Sequence, residues 1–129
     1  MIRKRLLGAA GLVLVIVGCA AESPADGGSY GSTTELRDAI VKAGWTCAEW
    51  DEHNKTETAI GSGTCDDNLV LAIYSSEADR EAQVDIYKML GEYVSMEVLI
   101  GRNWTAHADG LDELQKSMGG SIMRTSPDE

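Results

Sequence analysis

The stretch Leu69-Val70-Leu71-Ala72-Ile73-Tyr74, followed by Ser75-Ser76, the run Glu77 to Leu90, and then Met96-Glu97-Val98-Leu99-Ile100, decides the fold. An unbroken apolar run of this length, rich in branched residues, reads as a strand covered on both faces and therefore central in its sheet. Ser75 or Ser76 supplies a helix N-cap. Ala78, Ala82, Ile86, Met89 and Leu90 recur at helical spacing and predict the buried stripe of a long helix, which Gly91 stops. Met96 to Ile100 is again strand-like. A long helix joining two strong strands admits a split β-α-β arrangement from Leu69 onward.

Reading outward toward the C-terminus, Gly101-Arg102-Asn103 forms a turn into Trp104-Thr105-Ala106-His107, whose alternation predicts a hairpin partner. His107 then falls on the face opposite Trp104. Asp109 is placed to cap a last helix with Leu111, Leu114 and Met118 inside, Gly119-Gly120 ends it, and Ile122-Met123 can add an edge strand.

Toward the N-terminus, Asp66-Asp67-Asn68 reads as a turn. Thr56 to Cys65 reads as a strand weakened by Gly61 and Gly63, which mark a bulge or a close backbone approach. Asp51-Glu52-His53-Asn54-Lys55 reads as a hairpin loop, and Trp45 to Trp50 as the strand before it. A first helix carries Leu36, Ile40 and Ala43 on one stripe. Ser32 with Glu35 has capping-box spacing, and Thr34 is an equally good cap. Gly44 can end this helix with positive φ and let Trp45 fold back on Ile40.

The predicted order is α-β-β-β-α-β-β-α-β. Short turns between successive strands favour an α+β domain over residues 34–124, with a small antiparallel sheet of about five to six strands and helices packed on one face. Residues 125–129 form a tail.

The segment before the domain carries a different signal. Arg3-Lys4-Arg5 precede an apolar run from Leu6 to Gly18, shorter than the roughly 20 residues a membrane-spanning helix needs. Ile16-Val17-Gly18-Cys19 resembles the lipobox of bacterial lipoproteins. In that pattern Ile16 is the branched residue, Gly18 the small residue before cleavage and Cys19 the acylated residue. The resemblance implies a signal peptide over 1–18, a lipid on Cys19, and a protein working outside the cytoplasm on the outer face of the membrane. A diacylglyceryl group supplies at least two chains, enough for durable attachment where one holds only marginally. Residues 19–33, small, polar and glycine-rich, then read as the acylated cysteine and a flexible tether.

In an oxidising compartment, with Cys19 given to lipid, Cys47 and Cys65 remain as an even pair and predict one disulfide. Three of the 11 basic residues precede Cys19 and all 21 acidic ones follow it. The chain from Cys19 onward therefore carries 8 basic against 21 acidic side chains, a net −13. That balance argues against nucleic acid, whose phosphates need a basic footprint.

Within the domain, Ala43-Gly44-Trp45-Thr46-Cys47, Gly63-Thr64-Cys65, Leu71-Ala72-Ile73-Tyr74-Ser75 and Gly101-Arg102-Asn103-Trp104 resemble small exported lipoproteins of actinobacteria and their phages. The resemblance implies a stapled α+β domain on a lipid tether and assigns no activity.

No catalytic constellation stands out. Gly61-Ser62-Gly63 has the wrong glycine spacing for a nucleophile elbow, no phosphate loop follows those glycines, and Cys47-His53-Cys65-His107 lacks the short paired spacings of zinc sites. No cofactor and no metal is expected. Trp50, Asp51, Glu52 and His53 are the candidate binding residues: an amphipathic indole beside acidic side chains suits a contact surface. The expected function is a non-catalytic binding module of the cell envelope, joined to the membrane by lipid and to an envelope protein through the domain. An inhibitor of an exported enzyme and a phage-type surface-exclusion lipoprotein are the alternatives.

Overall fold

The computed structural model describes residues 24–127, so the signal segment and Cys19 lie outside the described residues. Nine elements follow in order: α1 (Thr33–Lys42), β1 (Trp50–His53), β2 (Gly61–Cys65), β3 (Leu69–Ile73), α2 (Glu77–Leu90), β4 (Met96–Ile100), β5 (Trp104–His107), α3 (Asp112–Met118) and β6 (Ser121–Thr125). The fold is α+β with a six-stranded sheet of order β1-β2-β3-β5-β4-β6, every neighbouring pair antiparallel. Because β5 lies antiparallel between β3 and β4, those two strands run parallel to each other, and α2 is the crossover between them. This is the split β-α-β arrangement admitted by the sequence.

Local signals set the element ends. Ser32, not Thr34, caps α1, its Oγ accepting from the Glu35 N–H, while Glu35 reaches back to the Gly31 N–H. At the other end Gly44, at φ +113°, lets the Gly44 and Trp45 N–H groups return to Val41 and Ile40, satisfying carbonyls that would otherwise be orphaned. Ser76 caps α2 through the Asp79 N–H. Asp66 and Asp67 both have positive φ, and the Asn68 N–H bonds back to Cys65, the pattern of a type I′ hairpin turn.

Alternation along the strands builds two layers. Leu69, Leu71 and Ile73 of β3, Leu99 of β4, and Trp104 and Ala106 of β5 join Leu36 and Ile40 of α1 and Leu111, Leu114 and Met118 around α3 in the main core. Each fully buried aliphatic side chain contributes about 1.5–3 kcal/mol relative to exposure. Tyr87, Met96 and Val98 make a second cluster, and the intervening Tyr74 hydroxyl bonds to Thr105. The strand parity places this cluster under α2 on the other side of the sheet.

Four expectations change. Helices cover both faces: α1 and α3 pack on the main core, and α2 on the second cluster, which lies on the other side of the sheet. The buried stripe of α2 is Gln83, Val84 and Tyr87, whereas Met89 and Leu90 are exposed; a large tyrosine and a hydrogen-bonded glutamine outcompete small alanines for the covered side. The expected strand over 45–50 is irregular up to Glu49, since Cys47 is bonded to Cys65 while Trp50 pairs with that same residue in the ladder. The chain must bend at 48–49 to meet both. Asp109 does not cap α3; Glu97 accepts from the Gly110 and Leu111 N–H groups in its place.

Residues 24–32, expected within a free tether, lie against the domain. The Trp104 indole N–H donates to the Gly27 and Gly28 carbonyls at 3.1 and 3.2 Å. Asn103 exchanges two hydrogen bonds with the Tyr30 backbone, and the Gly120 N–H donates to Ala25. A buried indole needs an acceptor, and this strap supplies it.

Candidate functional site

The four candidate binding residues Trp50, Asp51, Glu52 and His53 are consecutive and together make up β1, the outermost strand on one side of the sheet. The expected hairpin loop over 51–55 is therefore an edge strand in its first three residues, and the loop runs from Asn54 to Ile60. Thr58 in that loop donates to the Asp79 carbonyl of α2, which draws the loop over the helix and frees 50–53 to pair with β2.

Pairing splits the four side chains between the two faces. Trp50 lies opposite Cys65 and Glu52 opposite Gly63, both on the α1 side; Asp51 lies opposite Thr64 and His53 opposite Ser62, on the α2 side. Trp50 is half-buried against the main core. Its ring lies over Gly63, where any Cβ would collide with it, so the close approach signalled by that glycine is made by an indole. The Arg37 guanidinium sits 5.6 Å from the ring centroid on the α1 side, within cation–π range. Trp50 is thus a wedge under the strand rather than a protruding anchor.

His53 fastens the far end of β1. The Lys55 N–H donates to Nδ1 at 3.2 Å, and Nε2 lies 2.8 Å from Thr64 Oγ1. The first contact makes Nδ1 an acceptor, so the neutral ring carries its proton on Nε2 and gives it to Thr64. Ser62 Oγ lies 3.0 Å from both Nδ1 and the His53 carbonyl. The Ser62–His53 contact resembles a nucleophile–base pair only in distance: Ser62 is fully buried, and the far nitrogen meets a hydroxyl where a carboxylate would orient the ring.

The near end is held twice. The Cys47–Cys65 disulfide ties the residues before β1 to β2, with Cα atoms 5.0 Å apart. Asp66 Oδ1 and Oδ2 accept from the Glu49 and Ala48 N–H groups at 2.6 and 3.0 Å. Glu49, Trp50, Asp51, Thr64, Asp66 and Asp67 line an open cleft of about 350 Å³ here. Asp51, Glu52, Glu49 and Asp67 are exposed, so the cleft and the strand beside it present carboxylates to solvent. Among the described residues no three of His, Cys, Asp and Glu converge as a metal-ligand set.

His107 sits on the face opposite Trp104, half-buried against the Tyr87 ring, with centroids 5.0 Å apart. Burial holds its pKa below the ordinary value, and Asp109 opposes the shift. A feature that the sequence reading missed is the group Met89, Leu90, Tyr93 and Val94, 45–76% exposed at the end of α2.

Comparison with known proteins finds no matching family model, no matching curated protein and no matching solved structure.

Proposed function

We propose that this chain is a lipid-anchored, non-catalytic binding module of the cell envelope, attached through Cys19 to the outer face of the membrane and recognising an envelope protein with the acidic sheet edge at β1. The observation that carries this reading is the construction of that edge: a four-residue strand fastened at both ends and bordered by exposed carboxylates. A strand this short at a sheet border is marginal unless something holds it, and here a disulfide, an aspartate and a histidine do. Such preorganisation lowers the ordering cost of binding. The acidic surface supports a protein partner over nucleic acid.

The strap shortens the tether. It leaves the short segment Ala20 to Ser23 between the lipidated residue and the docked Pro24, a reach of at most about 18 Å when fully extended. Cross-linking on intact cells, with Cys19→Ala as control, tests the proposal. One envelope protein captured by the anchored form and lost with the variant is the expected result. A Cys19→Ala protein that remains processed and membrane-bound removes the anchor, and capture of no protein by the anchored form removes the module.

A further inference from the structure

The outer side of β1 carries its own information. Glu49 turns its carbonyl toward β2, where it accepts from the Asp66 N–H. Strand backbone groups alternate with a period of two, so Asp51 and His53 also face β2. The N–H and C=O groups of Trp50 and Glu52 face the other way, off the border of the sheet. An open border of this kind is a template for another strand.

Resting on the binding-module reading, we propose that β1 docks an extended, basic segment of the partner protein, which adds to the sheet as a seventh strand with adjacent Lys or Arg residues opposite Asp51 and Glu52. Charge selects the occupant. Asp51 projects from one face of the sheet and Glu52 from the other, and both are exposed. A second copy of this chain pairing antiparallel through β1, with Trp50 opposite Glu52, would set Asp51 against its own copy, which is unfavourable across strands. An incoming strand with consecutive basic residues places one opposite each carboxylate. At the opposite border the charged residue of β6 is Arg124, already paired with Glu97 and Asp112, so that border presents no pair of adjacent free carboxylates like Asp51 and Glu52. Strand addition draws affinity from main-chain hydrogen bonds and specificity from alternate side chains, and the clamps at both ends of β1 keep those groups in register before binding.

The test titrates the full chain, in detergent, with an octapeptide of threonine and valine bearing a central Lys-Arg pair, and follows backbone amides by NMR. The expected result is saturable shifts at Trp50 and Glu52 with Ser121 and Arg124 unmoved. N-methylation of alternate peptide amides and the double variant Asp51→Lys/Glu52→Lys should each weaken binding about tenfold or more. Equal affinity for the N-methylated peptide, shifts centred elsewhere, or no saturable shift overturns the proposal. A photo-cross-linker placed at Glu52 or at Tyr93 on intact cells separates the two readings. Capture from Tyr93 without capture from Glu52 keeps the module and removes the edge; capture from neither removes both.

Discussion

Replacing Cys47 with serine isolates the worth of the cross-link. Cys65 is fully buried, so truncating it would add a cavity, whereas Cys47 is only half-buried and its change leaves the core atoms in place. The bridge spans 18 residues, for which the loop-closure relation gives about 3 kcal/mol at 25 °C. A domain of this size has a total stability of about 5–15 kcal/mol, so the loss is a substantial share. With a urea dependence of about 1–3 kcal/mol per molar, the unfolding midpoint should fall by about 1–3 M. The structure also specifies where the loss is felt. Removing the bridge leaves Asp66 and His53 to hold β1, so the Asp51 amide, which faces β2, should lose hydrogen-exchange protection before the Leu71 amide of the central strand. A midpoint within about 0.3 M of the parent, or equal protection of Asp51 and Leu71, refutes the view that the disulfide holds the edge strand in place.

Gly63, Glu97 and Gly119 each give a further expected outcome. Gly63→Val drives a side chain into the space of the Trp50 ring; it should cost about 1–3 kcal/mol and red-shift the part of the fluorescence that Trp50→Phe removes. Burial pushes the Glu97 carboxyl up, but the Leu111 and Gly110 N–H groups and Arg124 outweigh it and hold its pKa below 4.5. The folded chain then binds that proton less readily than the unfolded chain, so the contribution is complete above the ordinary value and disappears as pH falls through the lowered one. Glu97→Gln should cost about 1.5 kcal/mol at pH 7, with the gap to the parent closing toward pH 3 in urea titrations. Gly119 has φ +82° and ψ −167°, and a Cβ there would strike the Pro24 carbonyl; Gly119→Ala should cost about 1–3 kcal/mol and release the strap, read as faster exchange of the Trp104 indole proton.

Much of the frame was legible because its signals are local. The β3 run, the serine ahead of Glu77, the turn at Asp66-Asp67 and the glycine after α1 each act within a few residues, and the structure follows all of them. The differences arise where a distant partner decides. Asp51 to His53 read as a loop because they are polar, yet Ser62, Thr64 and Cys65 across the ladder make them a strand. Residues 24–32 read as tether because they are small and polar, yet glycine is what permits close approach: Gly27 lies against Gly101 and the Trp104 ring, and Gly119 against the Pro24 carbonyl. The buried indole was the available clue, since its N–H requires an acceptor that no neighbouring strand residue provides. The composition of Trp50 to His53 singled them out as a contact surface, but Trp50 packs over Gly63, and the division of the four between two faces depends on register, which composition does not carry.

The strap and the end of α2 give the molecule two unlike poles. Pro24 to Gly28 dock where β4 finishes at Gly101, and Arg80 near the start of α2 bonds the Gly101 and Arg102 carbonyls at this same pole. α2 then runs 14 residues away from it, about 21 Å of helix, until Gly91 abuts Thr125, the partner of Met96 at the beginning of β4. Met89, Leu90, Tyr93 and Val94 are exposed at that far pole. Under the proposed lipidation of Cys19, the four residues Ala20 to Ser23 span at most about 18 Å, which keeps the strap pole near the bilayer. A domain that used these apolar residues to enter the membrane would carry them beside its anchor, and this one carries them a helix length away. The β1 border lies at the side of the sheet, away from the residues that hold the strap, so the proposed strand addition there leaves the strap contacts in place.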